Sequence, residues 1–99
     1  MVRLIVLYNT PEDQDAFDAH YRDVHTPIVL RYPGLRELRL SRTSGAGGGS
    51  SPFYLMAEML FEDRAALDGA VASDAGRDSA RDLRNFATAG VQVFVAEDA

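Results

Sequence analysis

Two histidines and four tyrosines are the residues of this 99-residue sequence best suited to moving protons near neutral pH. They concentrate in the stretch from Phe17 to Val29, which holds His20, Tyr21 and His25. An imidazole titrates close to neutrality and can act as acid or base there, which makes His25 the candidate catalytic group. The alternative is that His25 bonds the backbone at a kink beside Thr26 and Pro27. Tyr21, one helical turn earlier, is placed to orient His25 or touch a ligand. His20 falls on an apolar helical stripe, where a histidine usually fills a core or rim position. Five residues separate the histidines, a poor interval for two ligands on one α-helical face, so no metal site is expected.

Other candidates come from the strands. Tyr8, Tyr32 and Tyr54 offer flat apolar area with a hydroxyl tip, to a pocket or to the edge of the core. Glu58 shares a predicted strand face with Tyr54, Met56 and Leu60. A cavity on that face would make Glu58 a positioning carboxylate. Arg39 on the neighbouring strand would instead pair with it, or help bind a ligand. No serine lies in a nucleophile elbow. The sequence has no cysteine, which excludes thiolate chemistry.

The elements that must carry these residues follow from periodicity. Val2 to Tyr8 is apolar on both faces and reads as a central strand. Thr10, Pro11 and Asp13 are helix-start residues, with Ala16, Phe17, His20, Tyr21 and Val24 as the inward stripe. Thr26-Pro27 restarts a short helix that Pro33-Gly34 ends. Leu35 to Thr43 and Phe53 to Phe61 alternate as strands around the loop Ser44 to Ser51, whose glycines lack a P-loop's lysine and following helix. That loop is read as a plain hairpin connection or as a lid. Asp63 to Ala72 is helical through Leu67, Ala70 and Val71. Ser73 or Asp74 caps a last helix with Ala80, Leu83 and Phe86 inward, and Val91 to Ala96 closes the chain. The order βαββαβ predicts one α+β ferredoxin-like domain over residues 1–99, with a four-stranded antiparallel sheet and helices on one face.

The other sheet face would then be bare yet partly apolar, the mark of an interaction surface, and a second copy of the chain is the expected partner. Voids are costly in so small a core, so a ligand pocket is expected to be shared with that copy. A net charge of −5 argues against nucleic acid and anionic membranes. The chain has no membrane span or cleavable leader by its residues, and a cytoplasmic location is the expectation. No flavin, haem or nicotinamide motif is present, so no cofactor is expected.

Tyr21, His25 and Pro27, the Pro33-Gly34-Leu35-Arg36 run into the second strand, Glu58 and Phe61, Asp82-Leu83-Arg84-Asn85-Phe86 and Val93-Phe94-Val95 together resemble the EthD family of the dimeric α+β barrel superfamily. The resemblance spans almost the whole chain. It implies a homodimer with two sheets closed into a barrel, a pocket in each subunit and a functional histidine at His25. It also implies work in oxidative breakdown or polyketide-type biosynthesis. The functional expectation is a binder of a small apolar or aromatic molecule: a cofactor-independent oxidoreductase, a monooxygenase-like protein, or an isomerase or dehydratase using His25 as acid/base. The alternative is a non-catalytic carrier.

Overall fold

A computed structural model describes residues 1–99, and the order of its elements is set by the caps and stripes above. They are β1 (Val2–Asn9), α1 (Gln14–His20), a π-helical turn (Tyr21–His25), α2 (Thr26–Val29), β2 (Glu37–Ser41), β3 (Phe53–Phe61), α3 (Arg64–Ala72), α4 (Asp74–Phe86) and β4 (Val91–Glu97). The strands form one antiparallel sheet in the order β2-β3-β1-β4. This is the α+β ferredoxin-like arrangement, with all helices on one face.

Asp63 and Ser73 cap α3 and α4 through side-chain acceptors to the amides of Ala66 and Gly76. The cap of α1 is Asp13, which accepts from Ala16, rather than Thr10. The helix therefore starts at Gln14, because a carboxylate offers the exposed amides a charged acceptor. Gly90, just before β4, has a φ of 108°, a conformation a side chain would strain.

The pleat divides the sheet. Val2, Leu4, Val6 and Tyr8 of β1 face the helices with Leu55, Ala57, Met59 and Phe61 of β3. Arg3, Ile5 and Leu7 face away, with Met56, Glu58 and Leu60, and with Phe94 across from Ile5. That open face is apolar along its middle and carries Arg39 opposite Glu58 at its side. Arg39 nevertheless bonds Glu37 at 3.0 Å on its own strand, so the expected cross-strand pair with Glu58 is not made.

Tyr54 is not on that face. Tyr8 pairs with Leu55 but Asn9 with Phe53, so Tyr54 is the extra residue of a bulge. The bulge turns its ring against Phe17 of α1 at 5.3 Å, and its hydroxyl donates to Asp18 at 2.9 Å.

The helix stripes also differ from expectation. Val24 is exposed, because the wide turn shifts the residues after Tyr21 around the axis. In α4 the buried line is Ala75, Ser79, Asp82 and Phe86, whereas Ala80 lies outside. Val71 of α3 is exposed as well. Gly76 lets α4 approach the end of α3 so closely that a methyl group there would collide with the carbonyls of Ala70 and Val71.

Candidate functional site

The centre of the helix-side core is a polar cluster set in aromatic rings. Tyr8 reaches it from β1, His25 from the π-helical turn and Asp82 from α4. His25 is 2% exposed and Asp82 6%. Buried polar groups persist when bonded, and these are. His25 Nδ1 lies 2.9 Å from Asp82 Oδ2. The carboxylate can only accept, so Nδ1 carries the proton and donates. In the neutral ring this leaves the Nε2 lone pair free, facing the Tyr8 hydroxyl at 3.5 Å. Phe86 and Tyr21 flank the imidazole, with ring centroids 4.7 and 5.2 Å away.

Asp82 serves more than one donor. His20 Nε2 donates to its Oδ1 at 2.9 Å and lies 3.1 Å from Oδ2, and Asn85 Nδ2 donates to Oδ1 at 3.0 Å. The interval of five residues between the histidines thus brings both rings to one carboxylate. A π-helical turn bonds residue i to i+5, as the Thr26 amide does to the Tyr21 carbonyl. Five residues then make about one turn, where a regular α-helix would have pointed them apart.

These surroundings set the protonation states. Burial makes His25 harder to protonate and outweighs the bond to Asp82, which acts in the opposite sense. Burial also opposes ionisation of Asp82, but the bonds from Asn85, His25 and His20 more than offset it and hold its carboxyl below the usual aspartate range. Burial raises Tyr8 far above a normal phenol, helped by its neighbour Tyr21, so it remains a hydroxyl. Tyr21 is pushed up to about 12, again by burial.

A cavity of about 140 Å³ opens onto His25 within the single chain. Leu4, Val6, Tyr8, Tyr32 and Met59 form much of its wall, with Val71 and Val93 at the rim. It exists without a second copy because the helices pack on the central strands β1 and β3 and leave the β4 side less covered. A second, open cleft of about 460 Å³ lies between the α1 side and β2, with Tyr21, Leu40, Arg42 and Leu55 among its walls.

Of the residues expected from sequence, the structure brings together His25, Tyr21 and Tyr8. It separates them from Glu58 and Arg39, which lie across the sheet, and from Tyr54, which the bulge carries to the α1 edge. Asp82 stands in the family-like run Asp82 to Phe86, but sequence reasoning gave it no place in the site, since an aspartate between Arg81 and Arg84 reads as solvated. Residues 44–51 border none of the cavities. No group of three His, Asp or Glu side chains converges in a way that could hold a metal ion, and no helix is long and apolar enough to cross a membrane.

Known proteins agree with this architecture. The chain is similar to an ethyl tert-butyl ether D (EthD) family protein from Bacillus halodurans C-125, with 40% identity, a TM-score of 0.92 and 100% and 99% of the two chains covered. It is 33% identical to an 11.0 kDa protein of the thcB-thcC intergenic region in Rhodococcus erythropolis, over 99% of this chain and 95% of that one. Two more distant structures share the fold. One is a dimeric ferredoxin-like protein from Jannaschia sp. CCS1 (19% identity, TM-score 0.70, 99% and 100% covered). The other is a mutant of SnoaB, a cofactor-independent oxygenase from Streptomyces nogalater (15% identity, TM-score 0.72, 98% and 91% covered). The family model for the EthD domain matches residues 9–90, which include Tyr21, His25 and Asp82. The chain belongs to the EthD family.

Proposed function

We propose that this protein is a homodimer that binds a small, largely apolar molecule in the cavity beside His25 and moves a proton on it. The observation that carries the reading is the Asp82–His25 pair, whose imidazole lines the cavity. Asp82 holds the Nδ1 proton, and the opposite nitrogen is left as a base beside the Tyr8 hydroxyl. His25 is the acid/base group, Tyr8 a donor to a ligand oxygen, and Tyr21 a ring behind the imidazole that sets its plane. A space of about 140 Å³ suits a molecule the size of one aromatic ring.

In the forward step a C–H or O–H bond of the ligand breaks. Its electron pair stays on the ligand and the proton binds Nε2 of His25. Returning that proton to another atom completes an isomerisation. Alternatively, the electron-rich anion gives electrons to dioxygen, a chemistry that the likeness to SnoaB, a cofactor-independent oxygenase, makes worth testing first. The open sheet face, with Ile5, Leu7, Met56 and Phe94, is the dimer surface in this reading.

The test is a thermal-shift screen of single-ring phenols, quinols and enolisable ketones, followed by turnover assays on the hits. Wild type should be stabilised by a ligand and should convert it. His25→Ala should keep the affinity within a few fold and lose turnover about a hundredfold or more. Equal turnover in His25→Ala would refute the assignment of the base. Binding without turnover in wild type would make the protein a carrier.

A further inference from the structure

We infer that Asp82 is the one counter-ion of both histidines, so that His20 gives a ring proton to solvent when His25 takes one up in the cavity. This deepens the proton-transfer reading of the same site and assigns His20 as a positioning residue that acts through Asp82.

The geometry is a carboxylate with an imidazole on each side. His25 Nδ1 is 2.9 Å from Oδ2 and His20 Nε2 is 2.9 Å from Oδ1. The two rings differ in access to water. His25 is 2% exposed, while the His20 side chain is 25% exposed. His20 borders a surface cleft of about 350 Å³ with Glu12, Asp13 and Asn85. Phe86 lies against both rings, with centroids 5.0 Å from His20 and 4.7 Å from His25.

Two imidazolium rings on one carboxylate would leave an unbalanced positive charge in this apolar setting, which is costly. Nothing else packed around His25 supplies a second anion. Tyr8 from β1, Tyr21 of the same turn and Tyr32 after α2 are phenols that burial keeps protonated. On α4, Ser79 is neutral and Asn85 is a neutral donor to Asp82. Glu12 and Asp13 lie on the solvent side of His20, and Asp13 already caps α1.

The exchange balances. When His20 holds the charge and a ligand proton binds His25 Nε2, the Nδ1–H bond of His20 breaks. Its electron pair stays on Nδ1 and the proton passes to water in the cleft. His20 keeps its Nε2–H bond to Asp82, so the cluster gains no charge and the carboxylate never needs to be protonated. The reverse exchange recharges the site for the next cycle.

Because the chain has only two histidines, the inference can be tested on the ligand-free protein. With ¹⁵N-labelled histidine, ring signals of both residues are followed by NMR from about pH 4.5 to 9. Coupled rings should each titrate in two steps, separated by about one pH unit or more. In His20→Gln, whose amide still donates to Asp82, His25 should titrate in a single step and at higher pH. Independent single-step curves in wild type would overturn the inference, as would a His25 curve unchanged by His20→Gln. The wild-type curves decide the matter even if that variant fails to fold. Uncoupled rings with His25-dependent turnover intact would sink this inference alone. Coupled rings with no His25-dependent turnover would sink the catalytic reading instead.

Discussion

Replacing Asp82 with asparagine keeps the shape of the side chain, removes its charge and leaves one acceptor oxygen where there were two. The bond to His25 can then persist only through the tautomer that accepts at Nδ1. Asp82 accepts from three donors: His25, His20 and Asn85. A hydrogen bond to a charged group contributes about 1.5–3 kcal/mol and one between neutral groups about 0.5–1.5 kcal/mol, so losing the charge costs about 1 kcal/mol per donor. Relief of burying an ion offsets about 1 kcal/mol of that sum. The net loss is about 2 kcal/mol, which lowers the melting temperature of a domain this size by roughly 10 °C. The assay is thermal unfolding by circular dichroism at pH 7.5, with both proteins at equal concentration. The sign with pH is fixed too. The carboxyl is held below its unfolded value, so its contribution is present above about pH 4 and disappears as pH falls through the folded value. The gap between wild type and Asp82→Asn should therefore close in acid. A shift under about 3 °C at pH 7.5, or a gap that persists unchanged well below pH 4, would refute the charge-based account.

Four further outcomes follow from the same structure. Burial lowers the affinity of His25 for a proton in the folded state, so the unfolded chain binds the extra proton first as pH drops below about 6.5. Wild type should lose stability on acidification from that point, by up to about 1.4 kcal/mol per pH unit, and His25→Gln should flatten the slope in urea titrations. Tyr8→Phe removes a contact of 3.5 Å, too long for a strong bond, and should change the melting temperature by only a few degrees while reducing turnover or ligand affinity. Gly76→Ala should cost about 3 kcal/mol or more in urea unfolding, because the new methyl meets backbone carbonyls that cannot swing aside. Phe94→Glu places a charge on the open face opposite Ile5 and should shift the protein to a 10.8 kDa monomer by light scattering, with its circular dichroism retained.

Much of the frame was legible because local chemistry determines it. The alternation in Phe53–Phe61 gave β3 at its observed bounds. Of the two caps expected for α4, Ser73 or Asp74, it is Ser73 that caps it, while Asp63, read as the first helical residue, caps α3. His25 and Tyr21 were candidates by residue type and by the family pattern and Tyr8 by residue type alone, and the structure places the three side by side. Asp82 was hidden for a tertiary reason: its value comes from partners 57 and 62 residues away. A clue was present in α4, where Ala75, Ser79, Asp82 and Phe86 keep helical spacing, a stripe whose two polar members need buried partners. The π-helical turn was not legible either. Spacing rules assume 3.6 residues per turn, and on that assumption the two histidines diverge. Tyr54 was misplaced by the same kind of irregularity in a strand, one extra residue opposite Tyr8 and Asn9.

The wide turn between Tyr21 and His25 also takes up one residue of chain that a regular helix would not need. It holds about one residue more than an ordinary helical turn would need to cover the same rise. Shortening it by one residue, at exposed Val24 for instance, would let the backbone relax into a regular helix with every amide still bonded. The imidazole of His25 would then stand four residues from His20, about 40° around the axis, and would still face Asp82 and Tyr8. The sheet and its hydrophobic layer would survive such a loss. A one-residue deletion should thus be tolerated within these five residues, whereas the same deletion on either side would turn everything beyond it by about 100°.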